Sequence, residues 1–265
     1  MNKTNYDKAC EQELSKEGTN QKTLLLHACC APCSSAVLDR LQDKIKIVVY
    51  YYNPNIVDET EYRHRADELQ RLVRHMNSEA EAKQCSEDGV ASAKAEAKLC
   101  SEDGVASAKA GAKQCDEEGV ANARPDCRSR IGDIEVVLGP HDTESFLEIA
   151  KGLENVPEGG ERCEKCFRLR LKAACEYAAS IKADYVTTTL TISPLKDAQL
   201  LNRIGEEAAA ECGVAWLPSD FKKRDGYKHS IELSKKYDLY RQNYCGCPFS
   251  KREAEQRQPK PANEE

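Results

Sequence analysis

The sequence predicts an α/β fold, with a mainly parallel sheet, helices on both faces and one repetitive insertion. Short apolar runs of strand type alternate with longer segments of helical periodicity, and turn residues separate the two kinds along the 265 residues. Strands that alternate with helices form βαβ units, in which parallel strands are buried between helical layers. Ligands of such sheets bind at the carboxyl ends of the strands.

Five runs have the composition of strands. Thr23–Ala28 (TLLLHA) is a continuous apolar run of the buried type. Lys44–Tyr52 (KIKIVVYYY) is rich in β-branched and aromatic residues and ends at an Asn-Pro-Asn turn signal. Ile134–Leu138 is a third strand, Tyr185–Leu190 (YVTTTL) a fourth and Val214–Leu217 a short fifth.

Helices are predicted between all successive strands. The first covers Ala36–Leu41, and the hydroxyl of Ser34 or Ser35 is suited to cap its N-terminus. Apolar residues at helical spacing indicate four more helices, over Glu59–Met76, Thr143–Leu153, Cys166–Ile181 and Asp197–Glu211.

A repeated segment interrupts this alternation. Residues 81–124 contain a 15-residue unit in nearly three copies, each built from Ala and charged residues with a Cys and at least one Gly. The unit has few large apolar residues, so it can bury little surface. We interpret residues 79–127 as a tandemly duplicated insertion, helical in part because of its Ala, Glu and Lys content. Its cysteines recur because the segment was copied.

The domain organisation follows from these elements. We expect a polar N-terminal tail over residues 1–22, one α/β catalytic domain over 23–250 with the insertion inside it, and a polar C-terminal tail over 251–265. The chain shows neither a secretory signal nor a membrane span of roughly 18 apolar residues. This favours the cytoplasm, where thiols stay reduced and a cysteine-rich pattern indicates metal binding or catalysis. The net charge of −6 argues against a protein that coats nucleic acid non-specifically.

Half of the 14 cysteines lie in three tight clusters. The first, Cys29, Cys30 and Cys33, follows the first strand, where many nucleotide-binding proteins carry a glycine-rich phosphate loop. No such loop pattern is present. The backbone N–H groups and helix dipole of such a turn favour thiolates, so this turn suits a metal or a reactive thiol. His27 beside it is either a ligand or proton donor, or a buried histidine with hydrogen-bonded nitrogens.

The other two clusters have more than one interpretation. Cys163 and Cys166 form a CxxC at a helix start, compatible with zinc, an iron–sulfur cluster or dithiol redox chemistry. Together with Cys29 and Cys30 they supply four thiolates, which suit a [4Fe–4S] cluster or a structural zinc ion equally well. Cys245-Gly246-Cys247 would close a small, strained disulfide that is easily reduced, as in an electron carrier. Metal ligation by this pair is the alternative.

Several segments, in order, resemble the cobalamin-independent epoxyqueuosine reductases of bacterial tRNA modification. The resemblance covers roughly residues 23–250 without the insertion. The segments are LLLHACCAPCSS (24–35), YYNPNI (51–56), EYRHR (61–65), EGGERCEKCFRLRL (158–171), TTTLTISP (187–194), DFKKRDGY (220–227) and YRQNYCGCPFS (240–250).

The resemblance implies a Rossmann-like fold close to the ATP-pyrophosphatase type. It implies a reductase that removes the epoxide oxygen of epoxyqueuosine at the wobble position of tRNA anticodons, the last step of queuosine biosynthesis. The implied partners are a tRNA bearing epoxyqueuosine and an external electron donor, with no membrane.

The resemblance also assigns the clustered cysteines. The implied cofactor is a [4Fe–4S] cluster, joined by a second metal, an iron, for which Cys33 is the candidate ligand. Cys245 and Cys247 would form a redox-active disulfide. The implied cluster ligands are Cys29, Cys30, Cys163 and Cys166. The 15-residue repeats depart from the family pattern.

Two other functions compete with this one. An iron–sulfur tRNA sulfurtransferase would carry a phosphate loop resembling SGGxDS after the first strand, and this chain has CCAPCSS there. A zinc-stapled RNA-binding module without catalysis would use the same thiols. A brown colour with broad absorption near 400 nm would indicate iron–sulfur, whereas zinc is colourless.

Overall fold

The computed structural model describes residues 4–99 and 133–257, except for the side chains of residues 84–99. Within these ranges five strands form one sheet: β1 (Thr23–His27), β2 (Lys46–Tyr51), β3 (Glu135–Leu138), β4 (Tyr185–Thr188) and β5 (Ala215–Trp216). The helices are α1 (Tyr6–Leu14), α2 (Ala31–Leu41), α3 (Glu59–Leu99), α4 (Thr143–Ala150), α5 (Glu161–Ser180), α6 (Ala198–Cys212), α7 (Gly226–Lys236) and α8 (Pro248–Arg257). No helix of the described ranges is long and apolar enough to cross a bilayer.

Every strand pairing in the sheet is parallel, and the strand order is β3-β2-β1-β4-β5. The chain adds β2 and β3 on one side of β1 and then crosses to add β4 and β5 on the other side. The carboxyl ends of β1 and β4 therefore flank the point where the topology reverses, which is where open α/β sheets form a ligand crevice. The predicted α/β, Rossmann-like fold is confirmed.

The two faces of the sheet are covered by different helices. Leu24 and Leu26 of β1 belong to an apolar core shared with α2, α3 and α7, whereas Leu25 belongs to a core shared with α5 and α6. Successive side chains of a strand point to opposite faces, so a strand buried on both sides is mainly apolar, and any polar side chain in it needs a hydrogen-bond partner. This explains the continuous run of leucines.

Helix α2 begins earlier than the sequence suggested. It starts at Ala31, with Cys30 at the N-cap and Pro32 in the first turn, so the predicted cap at Ser34 or Ser35 is wrong. Proline suits this place because its φ is already helical and its missing N–H would have had no partner. The Ser34 hydroxyl instead donates to the Cys30 carbonyl at 2.8 Å inside the helix. The earlier start brings Cys30 and Cys33 to the helix N-terminus.

Helix α3 runs to Leu99 and so continues beyond the predicted Met76 into the repeated segment. Ala, Glu and Lys in this segment favour helix, as expected. The rest of the predicted insertion, with Cys100, Cys115 and Cys127, lies outside the described residues.

Both expected tails contain helices that pack on the domain. In α1, Cys10 and Leu14 are buried in the core shared with α2 and α3, which differs from the polar tail expected over residues 1–22. Helix α8 extends into the tail expected over 251–265, and Ala254 is buried there. Short helices with few apolar residues are hard to recognise from sequence, because polar contacts provide much of the interaction between such a helix and the domain.

Ion pairs across α1 are expected to contribute measurably to stability. Arg40 of α2 donates to Asp7 and to Glu11 at 2.7 Å each, and its guanidinium lies over the ring of Phe221. Arg40→Met leaves two half-buried carboxylates without their main partner. We expect it to lower the unfolding free energy by about 2 kcal/mol, measured by urea denaturation.

The matched control is Arg63→Met, which removes an exposed pair with Glu59 and should change the unfolding free energy by less than about 0.5 kcal/mol. Burial opposes ionisation of Asp7 and Glu11, but Arg40 outweighs it and holds both pKa values below the usual range. The stabilisation is thus present above the ordinary carboxyl pKa and lost as pH falls through the lowered one. An Arg40→Met deficit that stays constant in acid would contradict this account.

Candidate active site

The clustered cysteines lie at the carboxyl edge of the sheet, around the crevice between β1 and β4. Cys29 and Cys30 follow β1 directly, and Cys33 lies in the first turn of α2. Cys163 and Cys166 lie at the start of α5, and Cys245 and Cys247 precede α8. Three separate parts of the chain thus deliver thiols to the place where the topology favours a ligand.

The thiols of Cys29, Cys30 and Cys33 form one compact group. Their Sγ atoms all lie within 4.8 Å of one another, and those of Cys29 and Cys30 are 3.8 Å apart. Hydrogen bonds from the Cys30 and Cys33 thiols hold the pKa of Cys29 well below its usual range. The same hydrogen bond to Cys29 is the main cause that raises the pKa of Cys30 to about 12. These hydrogen bonds therefore favour a thiolate at Cys29, and two further sulfurs are placed to bind the same metal.

The other four thiols line a common cavity, here called the first cavity. Cys163, Cys166, Cys245 and Cys247 lie in its wall. Burial raises the pKa of Cys163, and it raises that of Cys166 to about 12. Without a metal these buried thiols are therefore protonated, and metal binding would have to displace their protons.

Cys247 lies just before α8. Its Sγ accepts a hydrogen bond from the backbone N–H of Ser250 at 3.3 Å, and the Ser250 hydroxyl lies 3.4 Å from the same sulfur. Burial raises the pKa of Cys247, and the Ser250 hydrogen bonds oppose that shift. Cys245 and Cys247 are both free thiols in the structure, which is the reduced form of the predicted pair.

A buried arginine interacts with both thiol groups. Arg170 of α5 is 1% exposed, and the groups that interact with it most strongly are the thiols of Cys166, Cys245 and Cys29. It donates to the side-chain oxygen of Asn53, but it forms no ion pair with a carboxylate in the part of the chain that the structure describes, and its Nε has no partner there. A buried arginine stays charged and is costly without a counter-charge. The residues thus fit an anionic group made of metal and thiolates.

The predicted residues are brought to one edge of the sheet, but in a different grouping. Cys33 joins Cys29 and Cys30, while Cys163 and Cys166 lie with Cys245 and Cys247 around the first cavity. The ligand set of Cys29, Cys30, Cys163 and Cys166 remains a prediction, as does the disulfide.

His27 is held inside the protein on both sides of its ring. Its Nδ1 lies 2.8 Å from the Thr188 hydroxyl and its Nε2 3.1 Å from the Tyr52 carbonyl oxygen. A carbonyl only accepts, so Nε2 donates and Nδ1 accepts from the hydroxyl. Burial lowers the pKa of His27 to about 3, which keeps it neutral. The interpretation as a buried, hydrogen-bonded histidine is confirmed.

Four residues of this region were not predicted from sequence as ligands or catalytic residues. Asn53 donates to the Ala28 carbonyl at 2.9 Å and accepts from Arg170, so it joins the end of β1 to α5. Arg65, 2% exposed, donates to the carbonyl of Cys245 at 3.2 Å and pairs with Glu61. Lys196 lies in the cavity walls. Asn53, Arg65 and Arg170 lie in the segments that carry the resemblance, whereas Lys196 does not. The spacing of these residues in the sequence does not identify them as part of a site.

A second cavity of about 310 Å³ opens beside the compact thiol group. Its floor includes Cys29, Cys30 and Cys33. Its other walls include the aromatic and cationic side chains of Arg65, Lys196, Tyr227, Arg241 and Tyr244. Cavities of this volume are at the lower end of small-molecule sites, roughly 300–1,000 Å³. The second cavity therefore suits one base-sized ligand held against the thiols.

Comparison with known proteins agrees with these features. The family model described as epoxyqueuosine reductase QueH matches residues 24–116 and 120–253. The chain is 34% identical over 253 residues to an epoxyqueuosine reductase QueH of Staphylococcus epidermidis, which covers 94% of this chain and 85% of the relative. The QueH proteins of Staphylococcus aureus and Streptococcus pyogenes are 31% and 30% identical, each over 94% of this chain and over 84% and 78% of their own lengths. The chain belongs to the QueH family of epoxyqueuosine reductases.

Proposed function

We propose that this protein reduces epoxyqueuosine to queuosine at the wobble position of tRNA anticodons, in the cytoplasm. Turning an epoxide into an alkene consumes two electrons and two protons and releases the oxygen as water. The observation that carries the proposal is the set of seven thiols at the carboxyl edge of the sheet, three of which interact with the buried charge of Arg170, beside a cavity that suits one base. Such a site combines redox-active groups with a place for the modified base.

The proposed ligands of a [4Fe–4S] cluster are Cys29, Cys30, Cys163 and Cys166. When bound, this cofactor supplies low-potential electrons one at a time. Cys33 lies within 4.8 Å of Cys29 and Cys30, sulfur to sulfur, so it is the proposed ligand of a second iron beside the cluster. The buried positive charge of Arg170 supports an anionic group here, because thiolate ligands provide the counter-charge that the described protein residues do not.

Cys245 and Cys247 are proposed to act as a two-electron carrier. Forming the S–S bond from two thiols releases two electrons and two protons, and an external electron donor must then reduce the bond again. The loop between them is held by the Arg65 guanidinium, which donates to the Cys245 carbonyl and lies 5.0 Å from the ring centroid of Tyr244. This keeps the pair beside Cys163 and Cys166.

The tRNA must present its modified base to the second cavity unstacked from the neighbouring bases. Enzymes that act on a base take it out of the stack, and single-stranded loops allow this at lower cost than a duplex does. The tyrosines in the wall offer stacking surfaces, and Arg241 and Lys196 offer positive charge for the RNA. These features support an anticodon nucleotide as the occupant.

The test is reduction of a defined substrate. Protein purified without oxygen and reconstituted with iron and sulfide is incubated with tRNA bearing epoxyqueuosine and a reductant, and the nucleosides are analysed by mass spectrometry. We expect queuosine to form at the expense of its epoxide, by a brown protein absorbing near 400 nm. A reconstituted brown protein that forms no queuosine would refute the function, and a colourless zinc protein would favour the RNA-binding module.

The dithiol role is tested by Cys245→Ser. We expect this variant to retain the iron content of the wild type but to lose multiple turnover when a thiol donor is the only reductant, since no disulfide can form. Cys212→Ser is the matched control, because Cys212 is half-buried at the end of α6 and lines neither cavity. Sustained turnover by Cys245→Ser would show that the pair is not the carrier.

A further inference from the structure

A short turn that follows β4 in the chain positions Lys196. Ser193, Pro194, Leu195 and Lys196 form the turn, with the Lys196 N–H donating to the Ser193 carbonyl at 3.3 Å. Proline at the second position and serine at the first are the residues that such turns favour. Asp197 then caps α6 by accepting from the Gln199 N–H at 2.8 Å. The backbone of Lys196 is therefore anchored on both sides, at the edge where the thiols gather.

The ammonium group of Lys196 has no hydrogen bond or ion pair with any other residue that the structure describes. Two other half-buried cations do have ion-pair partners: Lys222 Nζ lies 2.9 Å from Asp220, and Arg40 pairs with Asp7. The groups that interact with Lys196 are the thiols of Cys245, Cys29 and Cys33 and the carboxylate of Glu158. An ammonium carries three N–H donors, and here all three are available to a ligand.

Lys196 lines both cavities. It is in the wall of the first cavity with Cys163 and Cys166, and in the wall of the second with Cys29, Cys30 and Cys33. A base-sized ligand in the second cavity therefore borders both Lys196 and the compact thiol group. Arg170 already provides a fully buried charge among the thiols, whereas the half-buried ammonium of Lys196 borders the ligand space.

We propose that Lys196 binds the epoxide-bearing ring of epoxyqueuosine and donates a hydrogen bond to the epoxide oxygen. This inference rests on the proposed function. Ammonium groups pair with oxygen acceptors, and hydrogen bonds to charged groups are the stronger ones. Queuosine lacks the epoxide oxygen, so this contact separates substrate from product. Lys196 is thus a specificity-determining residue for the reductase.

The experiment compares Lys196→Met and Lys196→Arg with the wild type, all reconstituted without oxygen. Lys172→Met is the control, because Lys172 is exposed on α5 and lines neither cavity. Iron per chain, affinity for tRNA bearing epoxyqueuosine or queuosine, and kcat/KM are measured. We expect unchanged iron, loss of the preference for the epoxide in Lys196→Met, and a fall in kcat/KM of roughly tenfold to a hundredfold. Lys196→Arg keeps a charged donor, so it should retain part of the preference for the epoxide and part of the kcat/KM.

Three results would overturn the role of Lys196. The first is a Lys196→Met variant whose kcat/KM and preference for epoxyqueuosine tRNA stay within about twofold of the wild type. The second is a Lys196→Met variant that fails to hold iron. The third is a wild-type protein that binds epoxyqueuosine tRNA no more tightly than queuosine tRNA. Iron loss would mean that Lys196 supports the thiols rather than the substrate. A loaded wild type that prefers epoxyqueuosine tRNA but never reduces it would refute the proposed function while leaving the binding role intact.

Discussion

Arg170→Met is expected to change the metal-free and iron-loaded proteins in opposite directions. In the metal-free protein it removes a fully buried charge that has no carboxylate partner among the described residues, so the unfolding free energy should stay the same or rise by up to about 4 kcal/mol. The lost hydrogen bond to Asn53 offsets about 1 kcal/mol of that gain. In the loaded protein the same change removes the counter-charge of the thiolates, and iron retention should fall severalfold.

The two effects are measured separately. Urea denaturation of chelator-treated protein gives the first, and iron per chain after gel filtration without oxygen gives the second. Arg168→Met is the matched control, since Arg168 lies on the same helix but is exposed and paired with Glu164 and Glu207. It should leave both quantities nearly unchanged. A strongly destabilised metal-free Arg170→Met protein would show that Arg170 serves the fold rather than an anionic group.

The fold was predictable because its signals are local. A strand buried on both faces is apolar at most positions, so Leu24, Leu25 and Leu26 could be assigned without knowledge of their neighbours. Helix α1 could not be recognised in this way. Its attachment depends on Arg40 and Arg224, which pair with Asp7 but are far from it in the chain. Such pairing becomes visible only in three dimensions.

The site was partly predictable for a related reason. Close spacing after a strand or at a helix start marks the cysteine clusters, and parallel topology brings those ends to one edge. Spacing does not say which sulfurs approach one another, so the place of Cys33 beside Cys29 and Cys30 required the start of α2 at Ala31. Arg170 and Lys196 stand out only because they lack carboxylate partners among the described residues, a property with no sequence signature.

Gly246→Ala is expected to disable the proposed electron carrier without removing a thiol. Gly246 separates Cys245 from Cys247 and has a φ of +117°, a conformation that residues with a Cβ rarely adopt. An added Cβ would lie 2.8 Å from Ile56 Cγ1 and 3.0 Å from the Arg65 guanidinium. Backbone strain and crowding together should cost about 2–5 kcal/mol. The loop would relieve this by moving, which separates the two thiols or turns them away from Cys163 and Cys166.

The effect on the loop can be separated from backbone strain in general. Gly152 has a φ of +77°, and an added Cβ there meets nothing within 4 Å, so Gly152→Ala should lose only about 1 kcal/mol. We expect Gly246→Ala, at a temperature where it remains folded, to retain iron but to lose multiple turnover with a thiol donor, whereas Gly152→Ala retains both. The bond itself is measured by counting free thiols after mild oxidation, with Cys245→Ser as the reference for a broken pair. If Gly246→Ala forms the Cys245–Cys247 bond as readily as the wild type and turns over normally, the conformation of this loop does not control electron transfer.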